Sequence, residues 1–250
     1  MPSGIPLVPS DKVAAVVFIP LSDDNPLRSI HFQWVTVGLI AANVLVFLWQ
    51  SMSVGQSAAA SFAIIPAELF KVSVFGGPAH GPYDSVAVPE GVTLLTYMFL
   101  HGDILHLLSN MIFLWVFGDN IEDARGHLKF LVFYLLCGMA GGLAHSLMLP
   151  NSPLPLIGAS GAVAGVIAAY LILHPRVLVW VLAFRFIPLR ISAAWVLGIW
   201  VATQFLMVVL NPSDQVAWWA HIGGMVTGAV LIVFMRRPGV ALFDRGLTPV

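Results

Sequence analysis

Residues 128–149 read LKFLVFYLLCGMAGGLAHSLML, a run that is almost wholly apolar. A helix of about 20 apolar residues is long enough to cross the ~30 Å hydrocarbon core of a bilayer. In lipid an unpaired backbone amide is costly, so a segment that crosses the core must be helical. The stretch therefore predicts a transmembrane helix over Leu128–Leu149.

Five further apolar runs flank this one, and the short segments between them hold most of the charged residues. They predict spans at Phe32–Gln50, Ile104–Gly118, Ala159–Leu173, Ile191–Leu210 and Val216–Met235. The second and fourth of the six spans look short for a full crossing, which is tolerable beside a water-filled cavity. We therefore expect an all-α membrane protein, a six-transmembrane-helix bundle with a long outer loop between helices 1 and 2.

The composition agrees with a protein that resides in the lipid bilayer. Of its 250 residues, 59% are hydrophobic and 9% are charged, whereas soluble domains have about 25% charged residues. The net charge is −1 and no basic block occurs, so nothing indicates a nucleic-acid partner. The single cysteine, Cys137, excludes an intramolecular disulfide.

The basic residues predict the orientation of the chain. Ten of the eleven Lys and Arg residues fall on one side of the six spans, which the positive-inside rule assigns to the cytoplasm. The predicted domains are a cytoplasmic N-terminal tail (1–31), a transmembrane domain (32–235) and a cytoplasmic C-terminal tail (236–250). Leu178–Phe184 is too short to span and is expected at the inner interface. The compact form favours a bacterial inner membrane, with an organelle as the alternative.

The fourth predicted span opens with Gly158-Ala159-Ser160-Gly161, which places Ser160 in the first turn of a helix near its outer end. The free amides of a helix start can donate to a developing oxyanion, and glycines let a substrate backbone come close. Alone, the motif is weak. A serine at this position is usually a helix cap, and small residues in membrane helices usually serve packing.

The sixth span carries His221 about one and a half turns from its outer end. An ionisable residue within a span is costly and suggests a function, although it can also hydrogen-bond to a neighbouring helix. Small residues recur at four-residue spacing beside the serine and the histidine, which would let the two helices approach closely: Gly161 and Gly165, and Ala220, Gly224 and Gly228. We therefore expect the imidazole of His221 to reach the hydroxyl of Ser160 and to take its proton.

The second span adds His106 and Asn110, which lie four positions apart and so share one helix face, with Asp103 as a predicted N-cap. An imidazole and an amide in the outer half of a membrane helix could together donate hydrogen bonds to a tetrahedral oxyanion. The alternative is a pair that hydrogen-bonds between helices.

Three segments in this order closely resemble the signature segments of rhomboid intramembrane serine proteases: His106-Leu107-Leu108-Ser109-Asn110, Gly158-Ala159-Ser160-Gly161 and Ala220-His221-Ile222-Gly223-Gly224. The resemblance covers nearly the whole six-helix core. It implies a catalytic dyad of Ser160 and His221 without an acidic third member. It also implies an oxyanion hole formed by His106, Asn110 and the Ser160 amide, with Gly158 admitting the substrate backbone.

The chain departs from the family pattern in two places. Many bacterial rhomboids carry a Trp-Arg pair in the first outer loop, and residues 51–103 contain neither residue type. Many relatives place an aromatic residue four positions after the nucleophile, where it packs against the catalytic histidine, and this chain has Ala164 there. Another group must therefore orient the ring of His221.

The resemblance implies a bacterial-type intramembrane serine endopeptidase that cleaves transmembrane segments of membrane proteins through an acyl-enzyme. No cofactor is expected, and no metal, since neither a His-Glu-x-x-His motif nor a cysteine pair occurs. One alternative is a noncatalytic rhomboid-like protein that binds membrane segments for quality control. Another is a transporter, which would call for an acidic residue deep in a span, and the predicted spans contain none.

Overall fold

The computed structural model describes residues 18–52, 55, 58–70, 84–86, 88–183, 186–210 and 217–244. Within these residues the chain is mostly helical, and short 3-10 turns occur at Ala60–Phe62 and Tyr97–Phe99. The α-helices are α1 (Trp34–Gln50), α2 (Pro66–Leu69), α3 (Glu90–Thr96), α4 (Ile104–Arg125), α5 (His127–Met148), α6 (Ser160–Leu173), α7 (Ala193–Leu210) and α8 (Trp218–Met235).

Each predicted span coincides with one of these helices. Four of them, α4, α5, α7 and α8, are long and apolar enough to cross a membrane. The other two are shorter apolar helices, with 17 residues in α1 and 14 in α6. The protein is therefore a mostly helical membrane protein. The crossing of the membrane by α1 and α6 stays a prediction.

The second span is longer than predicted, because α4 continues past Gly118 to Arg125 and has 22 residues. The prediction of a short second span is therefore wrong. Glu122 and Asp123 lie on the last turns of α4 and are buried, with exposures of 0% and 9%. The acidic residues of α4 thus lie beyond Gly118, where the predicted span ended.

Main-chain donors explain why α4 can bury these two carboxylates. The amides of residues 28–30 donate to the Asp123 carboxylate at 2.6–3.1 Å. The amides of Val35 and Thr36 donate to Glu122 at 3.0 and 2.8 Å. A buried carboxylate is stable when donors replace the water it has lost, so these contacts fix the start of α1 against the end of α4.

A three-stranded antiparallel sheet lies beyond the C-terminal end of α6, in the order β1 (Phe18–Asp23), β2 (Leu178–Ala183) and β3 (Ile187–Ser192). The predicted all-α fold is therefore wrong in this region. In β2, Val179 and Val181 are fully buried while Trp180 between them is 40% exposed, the two-residue period of a strand with one buried face. The strand β3 leads directly into α7.

The contact between α6 and α8 is made by backbone against backbone. A Cβ added to Gly224 would lie 1.9 Å from the carbonyl oxygen of Gly161, and one on Gly228 would lie 2.3 Å from that of Gly165. The two predicted small-residue grooves therefore face each other, and this prediction is confirmed. Contacts of this kind set the distance between side chains at corresponding heights on the two helices.

The described parts of the loop between α1 and α4 pack onto the bundle. Ile64 and Leu156 exchange main-chain hydrogen bonds of 3.2 and 2.7 Å. The hydroxyl of Tyr97 donates to the carbonyl oxygen of Gly138 in α5 at 2.6 Å. The main-chain carbonyl oxygen of Tyr97 accepts from the amide of Gly158 at 3.0 Å. The loop thereby supports the segment that precedes α6. Lys71 is the one basic residue that the predicted orientation places on the side opposite the other ten. It lies outside the described residues.

Candidate active site

Ser160 and His221 lie side by side. Ser160 is the first residue of α6, and His221 is in the first turn of α8 and 8% exposed. The hydroxyl oxygen of Ser160 is 2.9 Å from Nε2 of His221, within hydrogen-bond distance. The glycine contact between α6 and α8 explains the proximity, because it brings the N-terminal ends of both helices together. The pair can therefore exchange a proton.

The other ring nitrogen of His221 contacts a residue that the sequence analysis did not consider. Nδ1 is 2.7 Å from Oε1 of Gln204, which is 4% exposed and lies on α7. The signal available in the sequence was a single amide in an otherwise apolar run, and it did not reveal which helix that amide faces. The histidine is therefore held from both sides, by Ser160 and by Gln204.

Two tryptophans border the His221 ring. The ring centroids of Trp200 on α7 and Trp218 on α8 both lie 6.0 Å from that of His221, Trp218 in an edge-on arrangement. These two residues give the ring the aromatic contacts that Ala164 cannot provide. Their distances are within the range of favourable aromatic contacts.

The imidazole of His106 fills the space beside Gly158. Gly158 has a φ of +122°, and a Cβ there would lie 2.7 Å from Nε2 of His106 and 3.8 Å from the hydroxyl oxygen of Ser160. The amide of Gly102 approaches Nδ1 of His106 at 3.5 Å, which favours the tautomer that carries its proton on Nε2. An N–H donor and the Ser160 hydroxyl therefore both lie next to Gly158.

Asn110 is buried but its amide is engaged elsewhere. Its Nδ2 donates to the carbonyl oxygen of His106 at 3.0 Å, one turn earlier in α4. Among the described residues, no hydrogen bond joins Asn110 to Ser160 or His221. The amide has a second N–H, so its predicted role as an oxyanion donor stays a prediction.

The start of α6 offers main-chain donors. Its first helical bond runs from the amide of Val163 to the carbonyl oxygen of Ala159, and no side chain caps the helix. The amides of the first turn, from Ser160 onward, therefore precede the hydrogen-bonded part of the helix and can bind an anion. Gly158 and Ala159 direct their own amides away, to Tyr97 and His101.

His101 lies behind this turn and is fully buried. Its Nε2 is 3.5 Å from the amide of Ala159, and its ring centroid is 5.0 Å from that of His106. Burial, reinforced by the neighbouring His106, lowers the pKa of His101 to about 3. The ring is therefore neutral at physiological pH and supports the segment before Ser160 without adding charge.

These features define a helical integral membrane protein with a half-buried serine beside a buried histidine at one end of its bundle. The family sequence model for the rhomboid domain matches residues 89–238, which is more than half of the chain. The chain belongs to the rhomboid family.

Several curated proteins are similar to this chain. RHOMBOID-like protein 12, mitochondrial, of Arabidopsis thaliana is 29% identical over 229 residues, which is 84% of this chain and 61% of that protein. RHOMBOID-like protein 2 of the same plant is 33% identical over 150 residues, or 60% and 44%. Rhomboid protease GluP of Bacillus subtilis (strain 168) is 31% identical over 163 residues, or 65% and 29%.

The alignments span less than two thirds of the length of each of these three relatives. One of the three is named as a protease and the two plant proteins as rhomboid-like. One of these relatives is named as a mitochondrial plant protein and another is bacterial. The similarity therefore does not favour the predicted bacterial inner membrane.

Proposed function

We propose that this chain is an intramembrane serine endopeptidase that cleaves transmembrane segments of membrane proteins. The observation that carries the proposal is the 2.9 Å contact between the Ser160 hydroxyl oxygen and His221 Nε2. A serine hydroxyl is a weak nucleophile until a neighbouring base removes its proton. A buried histidine at hydrogen-bond distance is such a base.

The reaction requires four proton transfers, each to or from His221. His221 Nε2 takes the proton of Ser160 as the hydroxyl oxygen bonds to the carbonyl carbon of the scissile peptide. The tetrahedral intermediate then expels the amine, which receives the proton from His221, and an acyl-enzyme remains. Water next gives its proton to His221 and attacks the ester carbon. Collapse of this second intermediate releases the new carboxyl terminus and returns the proton to Ser160.

Donors around Ser160 would stabilise the negative charge on the carbonyl oxygen in both intermediates. The closest candidates are the main-chain amide of Ser160 and the Nε2 proton of His106, whose ring fills the space beside Gly158. Asn110 would add its second N–H after a change of rotamer. Donors that are already held in place stabilise an oxyanion strongly, because little reorganisation accompanies the reaction.

The short length of α6 supports this substrate class. With 14 residues, α6 is about 21 Å long, shorter than the ~30 Å hydrocarbon core. Ser160, at its first residue, then lies below the outer membrane surface. In a helical substrate the peptide bonds are shielded, so we expect cleavage at small or helix-breaking residues where the segment unwinds. The lipid bilayer and the membrane-protein substrate are thus the expected partners.

The predicted topology suits this proposal. With six spans over 32–235 and both tails (1–31 and 236–250) in the cytoplasm, the site opens to the outer face, from which water enters. The carboxylates of Glu122 and Asp123 on α4 take no part in this chemistry, because they accept main-chain hydrogen bonds. Ion transport through them is therefore disfavoured. A bacterial inner membrane stays a prediction.

The test uses purified protein in liposomes with model transmembrane substrates. Wild type should cleave them and Ser160→Ala should not, while a fluorophosphonate should label only the protein that retains Ser160. The matched control is Ser146→Ala, because the Ser146 hydroxyl is buried in α5 and bonds to the carbonyl oxygen of Gly142. It should cleave normally. Wild-type protein that neither cleaves nor becomes labelled would instead favour a noncatalytic protein that binds membrane segments.

A further inference from the structure

Gln204 is the buried side chain in the outer part of α7. The buried residues of this helix are Ala193, Val196, Leu197 and Gln204, so beyond Leu197 the one residue of α7 that is buried carries an amide. An amide in an apolar environment is costly unless its polar atoms find partners. The atoms that Gln204 contacts therefore account for its position.

Those contacts fix which way the amide points. Nε2 of Gln204 donates to the carbonyl oxygen of Trp200 at 3.1 Å and approaches the hydroxyl oxygen of Thr203 at 3.3 Å. The Thr203 hydroxyl donates its own proton to the same Trp200 carbonyl at 2.6 Å, which leaves its oxygen free to accept. With both acceptors on the nitrogen side, Oε1 is the atom that faces His221.

An amide oxygen can only accept a hydrogen bond. In the 2.7 Å contact between Gln204 and His221, the proton must therefore reside on Nδ1 of the imidazole. Nε2 of the neutral ring then carries the lone pair, and it faces the hydroxyl of Ser160. The opposite tautomer would set two lone pairs against each other and could not take the serine proton.

We propose that Gln204 is a positioning residue, which fixes the tautomer and the orientation of His221 for proton transfer from Ser160. The proposal rests on the proposed function, because it assigns Gln204 a part in the same reaction. Gln204 takes the place that a carboxylate holds in serine, histidine and aspartate triads, but it brings no charge. It therefore orients the base without stabilising the imidazolium electrostatically.

Two substitutions separate the orientation of the His221 ring from electrostatic stabilisation of the imidazolium. Gln204→Met keeps the length of the side chain and removes the acceptor, and Gln204→Glu keeps an acceptor and adds a charge. The control is Asn43→Leu, because Asn43 is a buried amide of α1 whose Nδ2 bonds within its own helix to Leu39. For each protein kcat, KM, the pH profile of cleavage and the unfolding midpoint are measured in the same detergent.

We expect Gln204→Met to lower kcat by about tenfold or more, the scale of one lost hydrogen bond, with KM nearly unchanged. Gln204→Glu should restore much of kcat and move the acid limb of the pH profile to higher pH, because a neighbouring anion favours the protonated ring. Asn43→Leu should leave kcat and the pH profile as in wild type. A merely structural role for Gln204 would move the unfolding midpoint and leave the acid limb in place.

Wild-type kcat in Gln204→Met would overturn the proposal, as would an unshifted acid limb in Gln204→Glu. If Gln204→Met does not fold, the Gln204→Glu profile decides alone. The proposed function fails separately, when the wild-type protein neither cleaves nor reacts with a fluorophosphonate. In that case 15N shifts of the His221 ring, assigned with a His221→Asn sample, still report whether Nδ1 is protonated in wild type and loses that preference in Gln204→Met.

Discussion

The imidazole of His106 occupies the place that a side chain on Gly158 would take, 2.7 Å from the ideal Cβ position. Gly158 also has a φ of +122°, a conformation that side chains rarely adopt. A glycine is thus required both by the backbone and by the neighbouring ring.

Gly158→Ala should therefore displace His106 and lower kcat about 100-fold, as misplacement of a catalytic group by about 1 Å does. The measurement is a double-mutant cycle with His106→Ala, using kcat and the unfolding midpoint. If the alanine acts through His106, the double variant is no slower than His106→Ala. Fully additive losses would show that Gly158 acts independently of that ring.

Gly224→Ala should separate α8 from α6. Its Cβ would lie 1.9 Å from the carbonyl oxygen of Gly161, so one backbone must shift. We expect a loss of about 1–3 kcal/mol in the free energy of unfolding, together with a large fall in kcat as Ser160 and His221 move apart.

The control for this substitution is Gly198→Ala on α7, where a Cβ meets no atom within 4 Å. It should be as stable as wild type or slightly more stable, because alanine favours the helix. Equal effects of the two substitutions on unfolding and on kcat would argue against backbone contact as the determinant of the dyad distance.

Asp123→Ala should detach the segment before α1 from α4. The Asp123 carboxylate accepts hydrogen bonds from the amides of Ser29 and Ile30 at 2.6 and 2.7 Å, and from that of Arg28 at 3.1 Å. Loss of charge-assisted bonds at a buried site is expected to lower the free energy of unfolding by about 3 kcal/mol. Thermal unfolding in detergent measures the change.

Asp24→Ala is the comparison for Asp123→Ala, because Asp24 forms an ion pair with Arg190 at a more exposed position. Pairs of this kind contribute less than about 1 kcal/mol. The prediction fails if the two aspartates prove equally important for stability.

Glu90 should make stability depend on pH. Burial, followed by the nearby carboxylates of Glu68 and Asp84, raises its pKa from 4.5 to about 7. The folded protein thus favours the protonated form, whose stabilising contribution is complete below pH 4.5 and is lost as pH rises through about 7. The amide of Glu90→Gln does not titrate, so this variant stays uncharged at every pH measured.

The measurement is the unfolding midpoint of wild type and Glu90→Gln between pH 4.5 and 8. The two midpoints should diverge as pH rises, with the variant more stable at the upper end. Parallel curves would show that Glu90 does not titrate in this range.

Much of the helical architecture could be predicted from the sequence, because apolar length and glycine spacing are local signals. The sheet could not, since β1 and β2 pair across a large part of the chain, and β2 alone is too short to distinguish a strand from an interfacial segment. The end of α4 was missed for a related reason. Its charged residues end the apolar run, and the distant amides that bind Glu122 and Asp123 leave no local signal in the sequence.

The candidate site was predictable where residues form recognisable motifs, as Ser160 and His221 do. Gln204 was not, because its meaning depends on the rotation of α7 about its axis, which a uniformly apolar helix does not reveal. Tyr97 was missed likewise. Its support of Gly158 comes through its main-chain carbonyl, which any residue type could provide.

Of the four long apolar helices, α7 is the least enclosed by protein, with 22% of its most apolar window buried compared with 39–56% in the others. Val209 near its C-terminal end is 75% exposed. A helix with few protein contacts can respond to a mismatch between its apolar length and the bilayer thickness by tilting. Since Gln204 links α7 to His221 by one short contact, we expect a change in membrane thickness that tilts α7 to shift the His221 ring as well.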